Sequence, residues 1–195
     1  MPDDAELFRV LRGLRERGAL GEASLPDAVQ HAEFFLEALP PSTLRLIDLG
    51  SGGGLPGLVL AARLPHLSIV LTDRRERRMD LLRMACVRLG FGERVSVLTG
   101  DVVDLARRGE LAGTFDAVTS RAFGEPMLTA RCARPFLAPG GVVVVSEPPD
   151  LAARVPGDAA VEQRWPALEL DRLNLTASPT CYRGVRRIDL RRADP

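Results

Sequence analysis

Apolar positions recur at helical spacing twice before they first close up into a continuous run. Residues 4 to 18 set Leu7, Leu11 and Leu14 among charges, and Pro26 to Leu39 repeats the spacing with Val29, Ala32, Phe35, Leu36 and Leu39. Both stretches predict amphipathic helices, the second ended by Pro40-Pro41. Leu44 to Leu49 is apolar almost throughout and short, as a buried strand is, and Leu58 to Leu64 returns to a helical pattern. Ile69 to Thr72 predicts a second strand with Asp73 at its end. From Arg75, the set Leu81, Leu82, Ala85, Cys86 and Leu89 predicts a helix closed by Gly90. Val95 to Leu98 and Phe115 to Val118 are further strands, separated by a short helical piece over Val102 to Arg108.

Pro126 to Leu137 predicts a helix with Pro139-Gly140-Gly141 as its exit turn. Val142 to Val145, apolar on both faces, fits the centre of a parallel sheet covered by helices. Pro148-Pro149 and Pro156-Gly157 mark an irregular link, Trp165 to Leu173 a helix, and Thr176 to Tyr182 with Val185 to Leu190 a hairpin turning at Arg183-Gly184. Strands alternating with helices and ending in a hairpin predict an α/β fold, a doubly wound, mostly parallel sheet. Residues 1–40 form a helical appendage in this reading, and 41–195 a single compact unit.

Composition narrows the class. At 195 residues with 46% hydrophobic content the chain can bury a core without staples. It shows no apolar run of membrane-spanning length, and Met1-Pro2-Asp3-Asp4 lacks the layout of a signal peptide, so a cytoplasmic location is expected. Cys86, Cys132 and Cys181 are odd in number and far from any His, which argues against a metal site or a disulfide framework. Formal charge is zero, yet every basic residue is Arg, suited to forked contacts with phosphate or carboxylate. These cluster as Arg74, Arg75, Arg77, Arg78 and Arg83, and again as Arg183, Arg186, Arg187, Arg191 and Arg192. A solvated helix face is the common meaning of such runs, and a phosphate-binding patch the functional one.

The chemistry concentrates where the first strand meets glycine, in Asp48-Leu49-Gly50-Ser51-Gly52-Gly53-Gly54-Leu55-Pro56-Gly57. Strand, glycine loop and helix together let a ligand approach the backbone and meet free amides at the helix start. The spacing Gly52-x-Gly54-x-x-Gly57 also fits a dinucleotide fingerprint, with Asp73 for a ribose diol. Asp48 just before the loop and Pro56, which lacks an amide donor, both oppose a pyrophosphate. S-adenosylmethionine (SAM) has no phosphate, and its sulfonium and ammonium tolerate a carboxylate. The favoured cofactor is therefore SAM, with NAD(P) and an oxidoreductase as the alternative.

Asp48-Leu-Gly-Ser-Gly-Gly-Gly-Leu-Pro-Gly57, Leu71-Thr-Asp-Arg-Arg-Glu-Arg-Arg78 and Phe115-Asp-Ala-Val-Thr-Ser-Arg-Ala-Phe123, followed by Leu137-Ala-Pro-Gly-Gly141, resemble the bacterial 16S ribosomal RNA guanine-N7 methyltransferases, the glucose-inhibited division protein B family. The resemblance implies a class I SAM-dependent, Rossmann-like methyltransferase fold. It implies cofactor contacts at Gly50, Leu55 and Arg121, and a backbone pair at Val102 and Val103. Where the family usually has a Glu this chain has Val103, leaving an adenine contact to the main chain or to Asp101. The family's usual Lys-Gly after the central strand is replaced by Ser146-Glu147. The acceptor it implies is 16S RNA or the 30S subunit, with a small molecule as the alternative.

Guanine N7 has a lone pair and no proton to lose, so such a transfer needs positioning rather than a general base. His31 and His66 are accordingly expected outside the chemistry. Gly50, Ser51, Gly52 and Gly54 would admit the cofactor, Asp48 would orient the loop or the methionine amine, and Asp73 would accept from the ribose hydroxyls or cap the next helix. Arg121 could clamp the methionine carboxylate, hold an RNA phosphate or form a structural salt bridge. Phe123 could stack on the cationic product base or simply pack. Arg74, Arg75 and Arg78, with the terminal arginines, would hold phosphates.

Overall fold

The computed structural model describes residues 2–148 and 159–190. Most of the Pro148-Pro149 and Pro156-Gly157 link and the terminal Arg191 and Arg192 lie outside the described residues. Helices α1 (Asp4–Glu16) and α2 (Leu25–Ala38) each begin on a side-chain cap: Asp3 accepts from the Glu6 amide at 2.7 Å, and Ser24 from the Asp27 amide at 3.5 Å. Their stripes, Leu7, Leu11 and Leu14 on the first and Val29, Ala32 and Phe35 on the second, are buried in one cluster with the helices that follow the glycine loop. Arg63 binds Asp4 at 2.5 Å and Glu33 at 2.7 Å, and Arg88 binds Glu6 at 2.7 Å, so both helices are also held by charge.

The remaining elements alternate as expected. Strand β1 (Arg45–Leu49) leads through the glycine loop to α3 (Gly57–Arg63), β2 (Ser68–Asp73) and α4 (Glu76–Arg88). Then come β3 (Val95–Thr99), α5 (Val102–Leu105), β4 (Phe115–Ser120) and α6 (Pro126–Ala133). Strand β5 (Leu137–Ser146), helices α7 (Ala159–Arg164) and α8 (Ala167–Arg172), and strands β6 (Leu175–Tyr182) and β7 (Val185–Leu190) complete the chain. The sheet order is β3-β2-β1-β4-β5-β7-β6, parallel from β3 to β5 and antiparallel at β7 and β6. Its two faces are covered separately, one by α1 to α4, the other by an apolar cluster around Phe115, Phe136 and Trp165.

Two expectations need correction. Pro139-Gly140-Gly141 is not an exit turn but a bulge inside β5: Phe115 pairs with Leu137 and Ala117 with Val142, so β5 spends extra residues there. A Cβ on Gly141 would lie 3.0 Å from the Phe115 carbonyl oxygen, which is why glycine occupies it. The helix before it stops at Ala133, because Pro135 has no amide to extend it, and a 3-10 turn over Arg134–Phe136 follows. The helix expected over Trp165 to Leu173 is present as α8, starting at Ala167 with Pro166 as its N-cap, and α7 over Ala159–Arg164 precedes it where no helix was expected. The hairpin turns as expected, with Arg183 at φ 47° and Gly184 at φ 87°, the two left-handed positions that a two-residue loop of this hand requires.

Candidate functional site

Strands β1 and β4 are parallel neighbours whose chains leave the sheet toward opposite sides, and ligands of such sheets bind outside the carboxyl ends at this point. The glycine loop leaves β1 here and residues 121–125 leave β4. Ser51 fastens the loop to β2: its hydroxyl donates to the Asp48 carbonyl at 2.9 Å and accepts from the Thr72 amide at 3.0 Å. Gly50, at φ +67°, has no room for a side chain, since a Cβ would stand 2.7 Å from the Phe123 ring. Ala122 is also left-handed, at φ 53°, a conformation disfavoured by about 1–2 kcal/mol for a residue with a Cβ. This turn sends Arg121 and Phe123 to different sides of the cleft.

The cleft has two chambers that meet at Gly50, Arg78 and Ala122. The larger, about 410 Å³, gathers Asp73, Asp101, Val102, Val103 and Phe123, with Arg74 and Arg75 on its rim. The smaller, about 300 Å³, gathers Ser51, Gly52, Leu55 and Arg121 beneath the loop between α1 and α2. Of the expected cofactor residues, Asp48 and Gly54 line neither. Gly54 instead meets α4, where a Cβ would be 2.9 Å from Leu82.

Asp48 is fully buried under the loop. Its Oδ1 accepts from the Thr119 hydroxyl at 2.8 Å, while Oδ2 faces the Gly57 amide at the start of α3 without a hydrogen bond of good geometry. Burial pushes its carboxyl up to about 6, against the pull of Thr119, Ser51, the Gly57 amide and the charge of Arg121. It lines neither chamber of the cleft. Arg121 is half-buried, and desolvation holds its guanidinium below the usual range although Asp48 opposes this. Among the described residues it forms no ion pair, so the structural salt bridge is not made. Asp73 gives one oxygen to the Arg75 amide at 3.0 Å, and Asp101 one to the Val103 amide at 2.9 Å. Each caps a turn and also lines the larger chamber.

Of the C-terminal arginines, the described Arg183, Arg186 and Arg187 do not join Arg74, Arg75 and Arg78. Arg186 is buried and donates to Glu147 at 2.7 Å and to the Ser178 carbonyl at 3.0 Å, Arg187 pairs with Asp189, and Arg183 lies over the Phe34 ring at 5.3 Å. Burying Arg186 required a carboxylate, and Glu147 supplies it. The same carboxylate accepts from Arg164 at 2.6 Å and from the Trp165 indole at 2.5 Å. Sequence reading also missed the covering of the glycine loop: a Cβ on Gly53 would meet Leu20 and come within 2.6 Å of the Ala19 carbonyl oxygen. A crowd of four glycines was visible, but not what crowds them. His31 stands close enough to Arg121 for its imidazole to be held low by burial first and by that charge second. Among the described residues no group of His, Cys, Asp or Glu is placed to hold a metal ion, and no helix is long and apolar enough to cross a membrane.

The sequence model of rRNA small subunit methyltransferase G matches residues 9–148. The chain belongs to that family. Among curated members of the methyltransferase G family, the Burkholderia thailandensis ribosomal RNA small subunit methyltransferase G is 37% identical over 120 residues, 60% of this chain and 52% of that protein. The Salinispora arenicola protein of the same name is 36% identical over 162 residues, 81% of this chain and 64% of that one. The chain thus spans about half to two thirds of the length of these methyltransferase G relatives. Among solved structures, cofactor-bound Rv0187 from MTB superposes with a TM-score of 0.70 at 22% identity, covering 98% of this chain and 92% of that one. A Bacillus cereus O-methyltransferase in complex with SAH gives 0.67 at 18% identity, covering 98% and 93%. These structures establish the class I methyltransferase fold for this methyltransferase G family member.

Proposed function

We propose that this protein is a SAM-dependent methyltransferase whose acceptor is N7 of a guanine in 16S ribosomal RNA. The observation that carries the reading is a cleft at the sheet's switch point with an acid, Asp73, in one chamber and an unpaired guanidinium, Arg121, in the other. The cofactor fits these residues: Gly50 and Gly52 leave room where a side chain would intrude, Asp73 and Asp101 face the nucleoside chamber, and Arg121 awaits a carboxylate. Bound there, SAM supplies an electrophilic methyl on sulfur. The protein positions the acceptor and excludes water, and no side chain takes a proton, because N7 carries none. Phe123, between the nucleoside chamber and the ends of β4 and β5, is the ring against which the cationic product base would rest. The reading puts the protein in the cytoplasm with the ribosomal small subunit as partner.

A small-molecule acceptor is the competing reading. It is favoured by zero formal charge and by Glu147, which stands where the family usually has Lys-Gly and is wholly taken up by Arg164, Trp165 and Arg186. Incubating the protein and labelled SAM with 30S subunits, naked 16S RNA and a metabolite extract, all from cells lacking it, separates the two. Label in either RNA sample supports the ribosomal acceptor. Label confined to the extract would replace it with the small molecule.

A further inference from the structure

The smaller chamber is more cationic than its cofactor needs. Arg15 from the end of α1, Arg78 from α4 and Arg121 from the β4 turn line it, and no Asp or Glu does. The guanidiniums of Arg121 and of Arg78, which also borders the larger chamber with Asp73 and Asp101, form no hydrogen bond or ion pair among the described residues. Arg15 donates to the Ala23 carbonyl, but its Nε is buried without a partner. The methionine part of SAM would bring one carboxylate, and with it an ammonium and a sulfonium, so the ligand adds positive charge to three guanidiniums. One carboxylate satisfies one fork. Two forks facing a shared, half-enclosed space are left without an anion, an arrangement that costs free energy unless an anion enters.

We propose that this chamber also binds a phosphate of the acceptor nucleic acid, held by Arg15 and Arg78 beside the methionine carboxylate on Arg121. The inference rests on the methyltransferase reading and adds to it a function for the N-terminal segment. The segment that carries Arg15 runs on into the loop whose Ala19 and Leu20 cover Gly53, so the acceptor strand would meet the cofactor under residues from α1. Forked guanidiniums suit a phosphodiester, and a lysine in place of either would hold it less specifically.

The test uses the full chain saturated with S-adenosylhomocysteine and follows inorganic phosphate by its phosphorus NMR line. Wild-type protein should shift and broaden the line. Arg15→Gln should weaken phosphate about tenfold or more while the S-adenosylhomocysteine affinity stays within about twofold, and Arg15→Lys should recover part of the loss. In methyl transfer to 16S RNA, Arg15→Gln should raise KM for RNA and reduce the slope of log KM against log salt by about one. Unchanged phosphate binding in both Arg15→Gln and Arg78→Gln would overturn the inference. So would a loss of S-adenosylhomocysteine affinity in step with phosphate, which would make Arg15 part of the cofactor site. Wild-type protein that binds S-adenosylhomocysteine yet methylates no RNA would refute the ribosomal reading and RNA as the source of the phosphate, whereas the phosphate titration decides by itself whether Arg15 and Arg78 form an anion site.

Discussion

Asp48 carries a charge that its surroundings resist. Its carboxyl is raised from 3.8 to about 6 by burial, so the folded state holds the proton more tightly than the unfolded chain does. The stability this group contributes is fully present below its unfolded value and is lost as pH rises through about 6. The difference is worth about 3 kcal/mol. Urea unfolding of Asp48→Asn should therefore show the variant gaining on the wild type by up to that amount between pH 4 and 7.5, and a constant difference would refute the assignment. At Arg121 the expectation concerns binding: Arg121→Ala should weaken SAM by about 10- to 100-fold, the loss of one charge-assisted pair, with the unfolding midpoint nearly unchanged. Calorimetric titration beside a melt separates the two. Both residues were legible as candidates, one before the glycines and one after the fourth strand. The difference in their roles was not. Strand alternation puts Asp48 on the face of Leu46, toward α3, and only packing decides that no ligand reaches it.

The hairpin, α7 and the end of β5 are joined by one carboxylate. Glu147 is inaccessible and holds Arg186, Arg164 and the Trp165 indole at once. Glu147→Ala should cost about 3–5 kcal/mol, because Arg186 would remain buried without its counter-charge, and urea unfolding measures it. Converting Glu147 and Arg186 together to Met should cost much less. Equal losses in the single and double variants would show that the shape of the cluster, not its charge, matters. None of this could be read from the chain: Ser146-Glu147 looked only like a departure from the family's Lys-Gly, and the partners lie 17 to 39 residues away. The strand and helix order was legible because alternating periodicity is local. The bulge in β5 was not, since Pro-Gly-Gly has the chemistry of a turn whether or not the neighbouring strand continues to pair.

At the scale of the whole molecule, α1 and α2 share a buried cluster with α3 and α4, and their connecting loop covers the glycines. Removing residues 1–40 would expose Leu58, Leu60 and Ala61, which are now fully buried. We expect such a chain to lose cooperative thermal unfolding, and a sharp transition with full SAM binding would show instead that residues 41–195 stand alone. The doubly wound sheet was legible from alternating strands and helices, but the loop that lays Ala19 and Leu20 over Gly53 leaves no periodic trace. Which atom receives the methyl group decides the function. N7-methylguanine is cleaved from the RNA chain by borohydride followed by aniline, so 16S RNA methylated by this protein should break at one position. At limiting SAM that break should be much fainter with Arg121→Ala. Methyl label retained on RNA that resists cleavage, or label found only on small molecules, would contradict the central claim.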